Sequence, residues 1–398
     1  MERIISLVTA DPSDWRLYGG DSVTDQLSSV HTFYLLMGFA FIVQAGHLIG
    51  SPIECWCPAH FTSTHSAYTD KVCWTTNTYY LPYDEEIPKE DGPHKHIGYY
   101  QWVALILSCQ AILFYLPRPI WRLFNKKSGI AVSTITDAAI ECQRKADFDS
   151  RDKTLRYMVK HMGRFLVELS SEHELASRLK SCWYAVYGNY LVITYLVIKL
   201  VYITNVIGQL FMLNAFLDTN FNMYGIEILQ KMAMGEEWTS SERFPRVTLC
   251  DFKIRVLGNV HRYTVQCSLP MNLFNEIIFI FIWFWFAFVT TATVGSLLMW
   301  LYTSLYLPHN RKYIKSRLMA MDKVEDFTKH KVDLNYFVDR YLRRDGCFII
   351  RMVAKNASDI IAAELICGLW DHYLDNKKKL FKREKALGDQ DVLDELNA

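Results

Sequence analysis

Two cysteines, Cys250 and Cys267, stand just ahead of a long apolar run, and Cys55, Cys57 and Cys73 stand just beyond an earlier one. A thiol can pair with another thiol, bind a soft metal ion or act as a nucleophile. The spacing of Cys55, Cys57, His60, His65 and Cys73 matches no zinc template, so metal binding is the weaker reading. Disulfide bonding is the stronger one, and disulfides persist only in oxidising compartments. The segments carrying these cysteines are therefore expected to face outward. No nucleophile–base pair, phosphate loop or metal motif occurs in the sequence, which argues against an enzyme, a bound metal or a cofactor.

A second group of candidates lies inside the apolar blocks. Lys199 falls in the middle of one, and Tyr195 and Tyr202 share its helical face. A lysine at that depth is by default a functional-site hypothesis. It either meets water or a subunit interface, or snorkels to a membrane surface. Gln44 and His47 are i,i+3 in another block and share a face, suited to an interhelix hydrogen bond or to a pore lining.

The elements that must hold these residues follow from composition. Apolar residues make up 51% of the 398-residue chain and gather in long blocks, the pattern of a multi-span membrane protein. A net charge of +1 argues against nucleic acid as a partner. A bilayer needs roughly 20 apolar residues per helix, and four blocks qualify. The spans are expected at 30–50, 100–121, 183–213 and 273–306. The first thirty residues are mixed polar and show no cleavable leader, so the first block is expected to serve as the membrane signal.

Between and around the spans lie five further segments. Residues 1–29 carry Ile4, Ile5, Leu7 and Val8 at helical spacing, giving either a disordered terminus or a short amphipathic helix folded into a pore. Residues 51–99 and 214–272 form two loops. The first holds the acidic Asp84, Glu85 and Glu86, and the second has β-branched stretches at 246–250 and 260–267 that predict short strands. Residues 122–182 are rich in Lys and Arg with apolar residues at helical spacing, and 307–398 open on Arg311, Lys312, Lys315 and Arg317. Lys and Arg accumulate on the cytoplasmic side, so these two segments and both termini are expected there. In the tail, helices are predicted over 332–342 and 357–374, joined through Gly346–Arg351. Pro117 and Pro119 mark either a hinge or the end of the second span.

Several stretches resemble the innexins, the invertebrate gap-junction proteins. Tyr99-Tyr100-Gln101-Trp102-Val103 is similar to the innexin signature. Gly50-Ser-Pro-Ile-Glu-Cys55-Trp56, Phe244-Pro-Arg-Val-Thr-Leu-Cys250-Asp-Phe252 and Val265-Gln-Cys267-Ser-Leu-Pro270 also resemble innexin sequence. So do Asn272-Leu-Phe-Asn-Glu276, Trp283-Phe-Trp285 and Ala354-Lys-Asn-Ala-Ser-Asp359, in the same order along the chain. The resemblance implies an all-α, four-helix membrane subunit with disulfide-clamped outer loops and a helical cytoplasmic part. It implies a plasma-membrane channel ring of homo- or hetero-oligomeric innexin subunits, eight expected and six as the fallback. That ring docks with a hemichannel of the adjacent cell and passes ions and small metabolites.

By the same resemblance Cys55 pairs with Cys267 and Cys73 with Cys250, and Cys57 departs from the family pattern. The N-terminal segment, with Arg3, Ile4 and Leu7, is expected to line or plug the pore. Asp84–Glu86 would bias a vestibule toward cations if they face the lumen. Two alternatives stand beside the junctional channel: an undocked, pannexin-like hemichannel, and a non-conducting four-span adhesion or scaffold protein. Neither outer loop carries an N-glycosylation sequon, which favours docking.

Overall fold

The computed structural model describes residues 21–82, 96–145, 147–178, 188–218, 221–235, 243–323 and 327–396. In chain order its main elements are α1 (Val23–Ile49), β1 (Glu54–Trp56), α2 (Ser63–Thr76), β2 (Thr78–Tyr79), β3 (His96–Ile97) and α3 (Val103–Tyr115). Next come α4 (Pro117–Lys126), α5 (Val132–Arg144), α6 (Phe148–Arg178), α7 (Tyr190–Leu217), α8 (Tyr224–Met234), β4 (Val247–Val256) and β5 (Asn259–Ser268). The chain closes with α9 (Met271–Leu305), α10 (Leu307–Ala320), α11 (Phe327–Tyr336), α12 (Arg343–Asn356) and α13 (Asp359–Leu396). Among the described residues, four helical stretches are long and apolar enough to cross a membrane: α1, α3 with α4, α7 and α9.

These elements form two compact units. One is drawn from Leu27–Pro117 and Tyr202–Thr293. Its core is a run of buried apolar side chains from the spans, among them Leu36, Val43, Leu107, Phe114, Val206, Leu213, Phe279 and Phe286. Beside that core, five strands make one antiparallel sheet in the order β1-β5-β4-β2-β3. Strands β4 and β5 are ten residues each, longer than the β-branched stretches 246–250 and 260–267 from which strands are expected. They join through Leu257-Gly258, with φ of 49° and 87°. A two-residue hairpin needs positive φ at both central positions, which glycine accepts freely and leucine does not.

The other unit is drawn from Met1–Gln26, Arg118–Val201 and Val294–Ala398. Gly346–Arg351, expected as a connection, is the middle of α12, with Cys347, Phe348, Ile349 and Ile350 buried. The helix keeps Arg351 half-buried and Lys355 exposed on its other face, so it is an amphipathic helix whose period is present in the sequence. α6 and α13 meet closely: a Cβ on Gly368 would lie 2.5 Å from Val159. Helix α1 begins at Val23, ahead of the apolar block, and contains a π-helical turn at Leu27–His31. Pro117 opens α4 at a position where its missing N–H breaks no helical bond.

Candidate functional site

The first candidate is the bridged sheet. Disulfides join Cys55 to Cys267 and Cys73 to Cys250, spanning 212 and 177 residues of sequence. Cys55 and Cys267 face each other in the β1–β5 register, and Cys73 reaches β4 from α2. The sulfurs of Cys55, Cys73 and Cys267 lie within 4.8 Å of one another, already committed to bonds with other sulfurs. Cys57 is half-buried and outside both bridges. The bridges tie the segment between the first two spans to the segment between the last two, so both segments must share one side of the membrane.

Polar contacts fix this sheet further. Asp251 on β4 accepts hydrogen bonds from Thr264 Oγ1 at 2.6 Å, Arg262 at 2.6 Å and the Tyr79 hydroxyl at 3.3 Å. Burial alone would push the Asp251 carboxyl up, but the Thr264 and Arg262 bonds outweigh it and hold the group below its ordinary value. Burial and the neighbouring Asp251 push the Tyr79 hydroxyl up to about 12. Cys55 N–H donates to Asp70 Oδ1 at 2.9 Å.

The signature residues sit at the foot of the sheet. Tyr99 donates to the Arg243 carbonyl at 3.0 Å, and Gln101 Nε2 donates to the Trp74 carbonyl. Tyr100 is buried against Trp74, ring centres 4.8 Å apart, while Trp102 is exposed. Gln44 is exposed. His47 is half-buried with its ring 5.3 Å from Trp74, and its Nε2 has no hydrogen-bond partner among the described residues. Arg3, Ile4, Leu7, Asp84, Glu85 and Glu86 lie outside the described residues.

The second candidate is a buried charge cluster in the other unit. Lys199 is 0% exposed. Its Nζ lies 2.6 Å from Asp25 Oδ1. The ammonium also donates to Ser22 Oγ at 3.1 Å, Thr24 Oγ1 at 2.9 Å and Ser296 Oγ at 2.8 Å. Asp25 Oδ2 accepts from the Tyr195 hydroxyl at 2.8 Å and from Ser22 Oγ at 2.9 Å. A few residues earlier, Asp21 pairs with Arg118 Nε at 2.7 Å, and burial pushes its carboxyl up against the pull of that guanidinium.

Sequence reasoning missed Asp25 because it lies ahead of the apolar block, outside the expected span. The available signal was the i,i+4 spacing of Asp21 and Asp25 immediately before that block. Behind the cluster, the Tyr195 ring stands 5.2 Å from Trp121, 5.1 Å from Trp300 and 5.1 Å from Phe348. Asp345 from α12 accepts the Val192 N–H at 3.2 Å, satisfying one of the orphan donors in the first turn of α7.

Four apolar helices with both inter-span loops stapled into one sheet define a multi-pass membrane protein whose loops are joined by two disulfides. The sequence model of the innexin family matches residues 21–373. The chain is 38% identical to Innexin unc-9 of Caenorhabditis elegans, over 90% of this chain and 93% of that protein. It is 36% identical to Innexin-3 of the same organism, over 89% and 84%. It is 31% identical to Innexin-19 of Caenorhabditis briggsae, over 94% and 91%. The chain belongs to the innexin family, whose members are gap-junction channel subunits.

Proposed function

We propose that this protein assembles with copies of itself or with other innexins into a ring around an aqueous pore. Two such rings in apposed plasma membranes dock to pass ions and small metabolites. Eight subunits per ring is the expected number and six the fallback. In this reading residues 51–99 and 214–272 face outside, and 122–182, 307–398 and both termini face the cytosol. The observation that carries it is the pair of disulfides joining the two inter-span loops through one five-stranded sheet. Docking needs a surface that does not rearrange on contact, because ordering a mobile loop at an interface subtracts from affinity. Cross-linking both loops at two points removes that freedom from the free subunit.

The test is expression in paired cells that lack innexins of their own, with surface delivery checked by biotinylation. Junctional current is expected between two expressing cells or between one expressing cell and one carrying a competent partner innexin. Surface protein with no current in either pairing would reject the junctional reading. Current across single, unpaired membranes alone would favour an undocked hemichannel.

A further inference from the structure

The bridged sheet accounts for docking and the apolar faces account for the membrane. Neither needs a charged residue at position 199. A Met or Leu there would fill the same volume without an ion to compensate. Burying a charge requires partners that satisfy both its field and its hydrogen bonds, and apolar replacements of buried pairs are often neutral or stabilising. What such a pair can supply instead is a specific arrangement, as buried polar groups do when they set helix register.

The arrangement here joins three stretches. Asp25 with Ser22 and Thr24 comes from the start of α1, Lys199 and Tyr195 from α7, and Ser296 from α9. Among the described residues, the ammonium's hydrogen-bond and ion-pair partners are Ser22, Thr24 and Asp25 at the α1 root and Ser296. A shift of the root by one residue would remove Asp25 from both Lys199 and Tyr195 together. The Asp21–Arg118 pair is a second tie on the same root, to α4. A π-helical turn follows at Leu27–His31, a local departure from α-helix that recurs at functional positions.

We propose that Lys199 and Tyr195 are positioning residues: they lock residues 21–25, the root of the first span, in one register against the third and fourth spans. The functional part of this inference rests on the channel reading above; the locking itself does not.

The experiment uses the full-length protein with a reporter, Ser28→Cys, at a fully buried position whose hydroxyl has no partner among the described residues. Modification of that cysteine by a small thiol reagent is followed by mass spectrometry in membranes, beside junctional conductance and its voltage dependence in paired cells. The backgrounds are wild type, K199M, the neutral pair D25N/K199M, the swapped pair D25K/K199D, and Y195F.

The neutral pair leaves no unpaired buried charge and is expected to reach the surface. Its reporter is expected to react about tenfold faster or more, with altered conductance and voltage dependence, because the root can now open locally. The swapped pair is expected to move both readouts back toward wild type, which loss of packing alone would not do. Y195F is expected to give an intermediate rate and covers the case in which the neutral pair fails to fold. Wild-type rates in both the neutral pair and Y195F would overturn the proposal. Faster reporter chemistry in the neutral pair, with no current from any background including wild type, would reject the channel reading and leave the lock standing.

Discussion

Single residues set what the two sites can withstand. The Cys73–Cys250 bridge closes 177 residues of chain, and loss of a native disulfide typically costs about 2–5 kcal/mol. Cys250→Ala is therefore expected to abolish junctional coupling even where protein reaches the surface; coupling at wild-type strength would remove the bridge from the docking argument. Asp345 behaves differently. Burial, opposed by backbone N–H groups of α7, pushes its carboxyl from 3.8 to about 6. The folded state therefore holds that proton more tightly than the unfolded chain does. The contribution to stability is full below about pH 4, is lost as pH rises through about 6, and is on the order of 3 kcal/mol. Asp345→Asn keeps the acceptor oxygen and removes the titration. Thermal midpoints of detergent-solubilised protein from pH 4 to 7 are expected to fall in wild type relative to the variant, and parallel curves would contradict the assignment.

At the level of elements, the structure separates what the amino-acid order reveals from what it conceals. The four apolar blocks stand out because crossing a bilayer demands length and composition, and both are local properties. Strands in the second loop stand out through β-branched residues at 246–250 and 260–267, and β4 runs on past that stretch because Phe252, Ile254 and Val256 keep alternating with Asp251, Lys253 and Arg255. Helix α2 is illegible: Ser63–Thr76 mixes polar residues with Ala67, Tyr68, Val72 and Trp74 without a clear apolar stripe, and Cys73 acquires its bridge from the distant strand β4. The ion pair of Lys199 and Asp25 joins residues far apart in the chain, which no short-range pattern encodes.

Gly225 on α8 lies against Trp283 on α9, where an added Cβ would fall 2.1 Å from the ring. Gly225→Ala is expected to cost about 1–3 kcal/mol through overpacking, read as a lower thermal midpoint, and an unchanged midpoint would mean the ring can retreat freely. At the β4–β5 turn, Leu257 is fully exposed with positive φ. Leu257→Asn suits that backbone and is expected to preserve surface delivery while weakening junctional coupling if the hairpin tip meets the opposite ring; unchanged coupling would place docking elsewhere on the sheet.

For the whole molecule, four crossings place both inter-span loops on one side, and the bridges between them fit that threading. In intact cells a membrane-impermeant maleimide is expected to modify Cys57 and to spare Cys347 and Cys367, which are buried in the other unit. Modification of Cys347 without permeabilisation would invert the proposed topology. The crowding of sulfur has a last consequence. With the sulfurs of Cys55, Cys73 and Cys267 within 4.8 Å, a thiolate freed from one bridge stands beside the other, and such a thiolate attacks a neighbouring S–S bond directly. Gentle reductant should therefore yield a mixture: one electron pair opens one bridge, the freed thiolate exchanges into the other, and a single disulfide redistributes among the crowded sulfurs until a second electron pair releases the clasp.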